Sequence, residues 1–336
     1  MNKQQILKNF IFQKKQLSVF LLSFLFLFFL VSTTPSPIFA KSYKIDSVQI
    51  KVYLDQDGKM RVSEVRNYDF IGSYSLAYLS INRKPDQSKK PGRTESYNLS
   101  DFRFCDEVEC YQLLDAVAGE SAKTPKTFYV RENQDEYYIK WFYRANNQTK
   151  KFTLEYTVDN AITRHSNTDE LYWQFIGKDW EIPHNQVSVE LQLDFVEPHD
   201  SEFGNQLQAW LHGQVGGTVA IPSANIIAFQ IERLKAGNFF EGRVLFPHQT
   251  FDNFAVGSFT KEEILQQEQR FIRQTQSTEI LFWGLSLIQL ICNLCLIYFI
   301  GLEIFKYFKY GKSEKLPKIN QANSLWEPPS DLNPAQ

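Results

Sequence analysis

The sequence has no excess of charge of either sign. Its 336 residues carry 36 Lys and Arg against 38 Asp and Glu, a formal net charge of −2. Without an overall basic field, nucleic-acid binding driven by bulk charge is excluded. The motifs on which common catalytic sites are built are also missing: there is no Gly-rich phosphate loop, no G-x-S-x-G and no H-E-x-x-H. Histidine is scarce, and the five residues (His165, His184, His199, His212 and His248) show no metal-ligand spacing. No cofactor is implied, and no residue constellation recommends an enzyme.

Cysteine is scarce as well, at four residues in two pairs. Cys105 and Cys110 lie close together in a polar stretch, where they either close a small disulfide loop in an oxidising exterior or remain a free pair. Cys292 and Cys295 form a C-x-x-C inside an apolar run. A redox motif needs solvent and a positive environment, so these two read as small packing residues.

Long apolar runs are confined to two places, and everything between them is fairly polar, since the mean hydropathy of the chain is only −0.34. The first run, Leu17 to Val31, follows Lys3, Lys8, Lys14 and Lys15 and has the roughly fifteen-residue length of a secretory h-region. Pro35 and Pro37 then break any helix, and Ala40 supplies the small residue at a cleavage site. Cleavage after Ala40 is expected. The alternative is an uncleaved signal anchor, because the uncharged stretch from Gln16 to Ala40 is long enough, at about 25 residues, to span a bilayer.

The second run, Ile280 to Leu302, has about 23 uncharged residues, or roughly 35 Å of helix against a hydrocarbon core of about 30 Å. Trp283 near one end, with Tyr298 and Tyr307 near the other, fits the interfacial preference of amphipathic rings. Lys306, Lys309, Lys312, Lys315 and Lys318 follow it, opposed only by Glu303 and Glu314. The positive-inside rule then expects both lysine-rich flanks in the cytoplasm and the chain between the two runs outside.

That middle region alternates with a period of two. Ile50, Val52 and Leu54 alternate with polar neighbours, and Asp57-Gly58 supplies a hairpin turn before Met60, Val62, Tyr68 and Phe70. Further strands are expected at Thr127–Arg131, Tyr137–Arg144, Lys151–Val158, Glu170–Ile176, Val187–Phe195, Gln208–His212, Thr218–Ile221, Ile226–Leu234 and Gly242–Phe246. Many short strands with turn-rich connections predict an antiparallel β-sandwich. From Thr260 the period changes to a helical one. Thr260-Lys261-Glu262-Glu263 is a capping box, so a juxtamembrane helix is expected to run into the span. Within the span, Ser286, Gln289 and Asn293 form a polar stripe suited to helix association.

Two carboxylate clusters are candidates for chemistry: Asp169-Glu170, and Asp179 with Glu181 beside Trp173 and Trp180. A glycosidase needs two such groups across a sugar-sized gap, but neighbouring acids more often belong to loops and solvent faces. Trp141, Trp173, Trp180 and Trp210 could form a sugar-stacking platform, or fill a sandwich core. The basic stretch Asn82 to Arg93 reads as a solvated loop, with contact to an anionic envelope polymer as the alternative.

Several stretches, in order, resemble one family. They are Asp57-Gly58-Lys59-Met60-Arg61-Val62-Ser63-Glu64 with Tyr68 and Phe70-Ile71-Gly72; Ile139 to Tyr143; Phe152 to Tyr156; Asp169 to Glu181; and Arg243-Val244-Leu245-Phe246-Pro247. Together they are similar to the YciQ-like bacterial membrane proteins, whose exported part is called domain of unknown function 2207. The resemblance implies a signal peptide, an exported β-rich domain, a membrane anchor and a cytoplasmic continuation, and it transfers no catalytic residue. Family members continue past a "PP..l.Pa" element into further spans, whereas Pro328 to Ala335 stand nearly last here, so a short or truncated member is expected.

The expected organisation is therefore a signal peptide or signal anchor at 1–40, an extracytoplasmic β-sandwich at 41–259 and a juxtamembrane helix at 260–279. A transmembrane helix at 280–302 and a basic, disordered cytoplasmic tail at 303–336 complete it. The expected function is a non-catalytic interaction or sensing module of the cell envelope, in contact with the lipid bilayer and with other membrane or envelope proteins. The alternatives are an envelope carbohydrate or polymer binder and, behind it, an envelope hydrolase.

Overall fold

The alternation in the sequence becomes the two faces of a sheet. In β1 (Ser42–Leu54), Val48, Ile50, Val52 and Leu54 are buried, and a bulge between Ile45 and Ser47 shifts the phase at its start. In β2 (Met60–Ile71) every second residue from Met60 to Phe70 is buried, including two charged ones, Glu64 and Arg66. The turn between the strands depends on Gly58, which has φ +75°; a Cβ there would lie 2.3 Å from the Asn253 carbonyl oxygen. No other residue fits that approach.

The computed structural model describes residues 41–85 and 93–310. The expected signal sequence, Lys89 and Lys90 of the basic stretch, and the tail beyond Tyr310 lie outside the described residues. After β2 come β3 (Ser73–Asn82), β4 (Leu99–Asp106), β5 (Gln112–Leu114), a short helix α1 (Ala116–Ser121), β6 (Thr127–Glu132), β7 (Glu136–Asn146) and β8 (Thr149–Val158). Then follow β9 (Ile162–Arg164), β10 (Asp169–Ile176), β11 (His184–Leu193), α2 (Ser201–Gly204), β12 (Gln208–Gly213), β13 (Thr218–Ser223), β14 (Ile226–Leu234), β15 (Phe240–Phe246), β16 (Ala255–Val256) and α3 (Lys261–Tyr310).

Among the described residues the strands form three sheets, in the orders β13-β14-β11-β1-β2-β8-β4, β12-β15-β10-β9-β16 and β3-β7-β6-β5. One continuous cluster of buried side chains draws on all three, from Ile45 through Trp141 and Trp173 to Phe251. The β-rich architecture expected from the sequence is present, mostly antiparallel, with three parallel pairings: β1 with β11, β5 with β6 and β9 with β16. Parallel neighbours need a long crossover. For β1 and β11 it is the whole stretch from β2 to β10, which builds the sheet of β3, β5, β6 and β7 and contributes β9 and β10 to the five-stranded sheet before the chain returns.

The chain up to Glu263 forms one compact unit and the remainder a second. At the start of α3 the capping box is formed: the Glu263 N–H donates to the Thr260 hydroxyl (3.2 Å), and the Thr260 N–H donates to Glu263 Oε2 (2.8 Å). Farther along, Trp283–Lys306 has a mean hydropathy of 2.2 and is long and apolar enough to cross a membrane. It overlaps the expected span at 280–302. Leu287, Ile291, Leu294 and Tyr298 are each more than half exposed, which suits a helix surrounded by lipid.

Candidate ligand-binding cleft

Gly72, at φ +91°, turns the chain from β2 straight into β3 and carries it from the first sheet to the third. Its N–H is held by Asn147 Oδ1 at 2.7 Å. This turn brings Phe70 and Tyr74 to a ring separation of 5.0 Å. Tyr43 lies opposite Phe70 in the β1–β2 register and meets Tyr74 edge-on at 5.6 Å. Tyr68 stacks along Phe70 at 5.5 Å, and Tyr143 of β7 packs on Phe70 at the same distance. These rings, with Tyr78 of β3 and Trp180 from the β10–β11 connection, line a cleft of about 240 Å³.

Asp179 and Glu181 stand on either side of Trp180 in the lining, both exposed. Among the described residues neither is in an ion pair, and no Lys or Arg lines the cleft. Burial, and secondarily Glu181, push the Tyr43 phenol above its ordinary pKa. Burial does the same for Tyr68, against the opposing pull of Arg66. Both phenols therefore stay protonated at neutral pH.

Behind Trp180 lies a set of buried polar groups. Glu64 and Arg66 form an ion pair within β2, and the Tyr156 hydroxyl donates to Glu64 Oε1 at 2.7 Å. The Arg66 guanidinium lies 5.5 Å from the Trp180 ring centre, and His184 meets the same ring edge-on at 4.6 Å. Burial, with Arg66 nearby, lowers the His184 pKa to about 3, so the ring is neutral. Arg66 Nε, His184 Nε2 and the Tyr68 hydroxyl are buried without hydrogen-bond partners among the described residues. Each such orphan costs on the order of 1–3 kcal/mol, a concentration of unmet polarity next to the cleft.

The two carboxylate clusters noted in the sequence have different fates. Asp169 accepts two bonds from Arg164, both at 2.8 Å, and one from the Phe251 N–H. Glu170 is buried between Arg243 and His165; against the burial that would raise it, these partners hold its carboxyl at about 2. Both acids are thus taken up in ties between β9, β10 and β15. Only Asp179 and Glu181 face an open cleft. Trp141 and Trp173 are buried in the core, while Trp180 and Trp210 are half-buried, so the four do not form an exposed row. In the basic stretch, Arg83 and Lys84 pair with Glu132 and Asp135. Arg93 is buried and donates to the Asn160 and Ile162 carbonyls.

Cys105 and Cys110 are joined by a disulfide that closes the turn after β4. Ser286, Gln289 and Asn293 all lie on α3, where Gln289 Nε2 donates to Asn293 Oδ1 at 3.1 Å. Among the described residues no group of three or more His, Cys, Asp and Glu is placed to hold a metal ion. Sequence reasoning missed Tyr43, Tyr74 and Tyr78 as members of a site. The signal closest to them was Glu64 and Arg66, two charged residues in the apolar phase of β2.

Similarity to solved structures is remote. An M1 zinc metallopeptidase from Deinococcus radiodurans matches 60% of this chain and 42% of its own at 6% identity and a TM-score of 0.31. A protein from Legionella pneumophila, assigned provisionally as a nutrient binding protein, matches 60% of this chain and 66% of its own at 9% identity and a TM-score of 0.31. A protein from Parabacteroides distasonis, assigned provisionally as a protease, matches 61% of this chain and 40% of its own, at 9% identity and a TM-score of 0.32. These likenesses carry no information on activity. No curated protein matches the chain. The family model described as "Predicted membrane protein (DUF2207) N-terminal domain" matches residues 44–246, which include every cleft-lining residue named above except Tyr43, and the chain belongs to that family.

Proposed function

We propose that this protein is a membrane-anchored interaction or sensing module of the cell envelope, non-catalytic, with its β domain on the extracytoplasmic side. The lysine excess after the apolar helix supports that orientation, and so does a disulfide in the β domain, which persists in oxidising compartments. The observation that carries the reading is the aromatic cleft, with unpaired carboxylates at its rim and buried orphan polar groups behind it. Pockets of this composition are the usual default for binding. The polar stripe of Ser286, Gln289 and Asn293 serves association with a second membrane helix. A sugar-stacking platform loses support with Trp141 and Trp173 in the core.

The test is photo-crosslinking in native membranes, with a photoreactive side chain in place of Tyr78 at the cleft edge, and in place of Val117, 81% exposed on α1, as control. The reading expects a discrete crosslinked product from Tyr78 and none from Val117. Identical products from both positions would contradict it.

A further inference from the structure

We infer that the cleft takes an organic cation, an alkylammonium group seated against the tyrosine and tryptophan faces and neutralised by Asp179 and Glu181. This rests on the binding-module reading above and goes further in naming the ligand's chemical class. Aromatic faces carry negative potential, and several together make a cage for ammonium groups. Here Tyr43, Tyr74, Tyr78 and Trp180 supply the rings that line the cleft. The two carboxylates beside Trp180 have no basic partner among the described residues, so their charge is available to a ligand.

Three further features agree. Tyr68 lines the cleft, is only 3% exposed, and leaves its hydroxyl without a partner among the described residues, an acceptor suited to an N–H donor. Tyr74 already attracts an ammonium from outside the lining: Lys41 Nζ lies 6.0 Å from its ring centre. The guanidinium of Arg66, behind Trp180, is neutralised by Glu64 and does not repel a cation. At about 240 Å³ the cleft is smaller than the 300–1,000 Å³ of drug-sized sites, which suits a small head group rather than a long oligomer.

The test is calorimetric titration of the full chain in phosphatidylglycerol nanodiscs. The probes are choline, Nα-acetyl-lysine methylamide, the uncharged choline isostere 3,3-dimethyl-1-butanol, and cellobiose. The proposal expects choline or the lysine amide to bind at least about tenfold more tightly than the isostere. Choline binding alone marks a free small molecule as the source, and lysine amide binding alone marks a side chain of a peptide. The exposed double substitution D179N/E181Q, which leaves the core untouched, should weaken that binding about tenfold. Equal or tighter binding of the isostere or of cellobiose, an unaffected double variant, or no binding of either cation would overturn it. Crosslinking at Tyr78 that persists beside such a result would leave the binding-module reading standing and remove only the ligand class.

Discussion

Glu64 and Arg66 occupy positions in β2 where the alternation demands apolar side chains, and His184 joins them behind Trp180. Such residues set a pH limit on stability. Folding holds His184 neutral, with a pKa lowered by burial to about 3, whereas the unfolded chain takes up a proton near pH 6.5. Between those values the unfolded state binds more protons, so stability falls as pH falls. From pH 7 to 5 the loss from this residue is about 2 kcal/mol. Glu170, held at about 2, loses its contribution only below its ordinary range near pH 4.5, in the same direction. Denaturant unfolding of the wild type and H184F at pH 7 and pH 5 separates the two windows. The variant should lose about 2 kcal/mol less between these pH values, and equal losses would show that His184 is not the titrating group.

At the scale of elements, the hairpin of β1 and β2 was legible because one strict alternation and one Asp-Gly turn suffice to define it. The Thr260 capping box was legible for the same reason, since all its partners lie within four residues. β3 was not. Its side chains are largely exposed, and Ser73, Ser75, Ser80 and several tyrosines blur any alternation. The short strands β5, β9 and β16 have too few residues to show a period. The cleft was out of reach because Tyr43, Tyr74, Tyr143 and Glu181 meet only through a three-sheet topology, including a parallel return that the sequence does not announce. Asp179, Trp180 and Glu181 could be singled out as neighbours, but not what they face. In α3 the bond from Gln289 to Asn293 satisfies part of their polarity within the helix, so association must exchange it for cross-helix bonds worth about 0.6–2 kcal/mol each. Q289L/N293L should therefore reduce the signal in a membrane two-hybrid assay several-fold, and an undiminished signal would remove the stripe from any interface.

At the scale of the whole molecule, a β domain bearing a disulfide and an aromatic cleft shares its chain with a helical segment, Trp283–Lys306, suited to a bilayer. The proposed role as an envelope module requires that these lie on a defined topology: sheets outside, lysines inside. The most direct measurement is labelling of intact cells with a membrane-impermeant maleimide, in a background with Cys292 and Cys295 replaced by alanine. Single cysteines would be placed at Val117, exposed in the β domain, and at Lys309, beyond the span. With the sheets outside, V117C is labelled in intact cells and K309C only after permeabilisation. The reverse pattern, or labelling of both before permeabilisation, would contradict that topology.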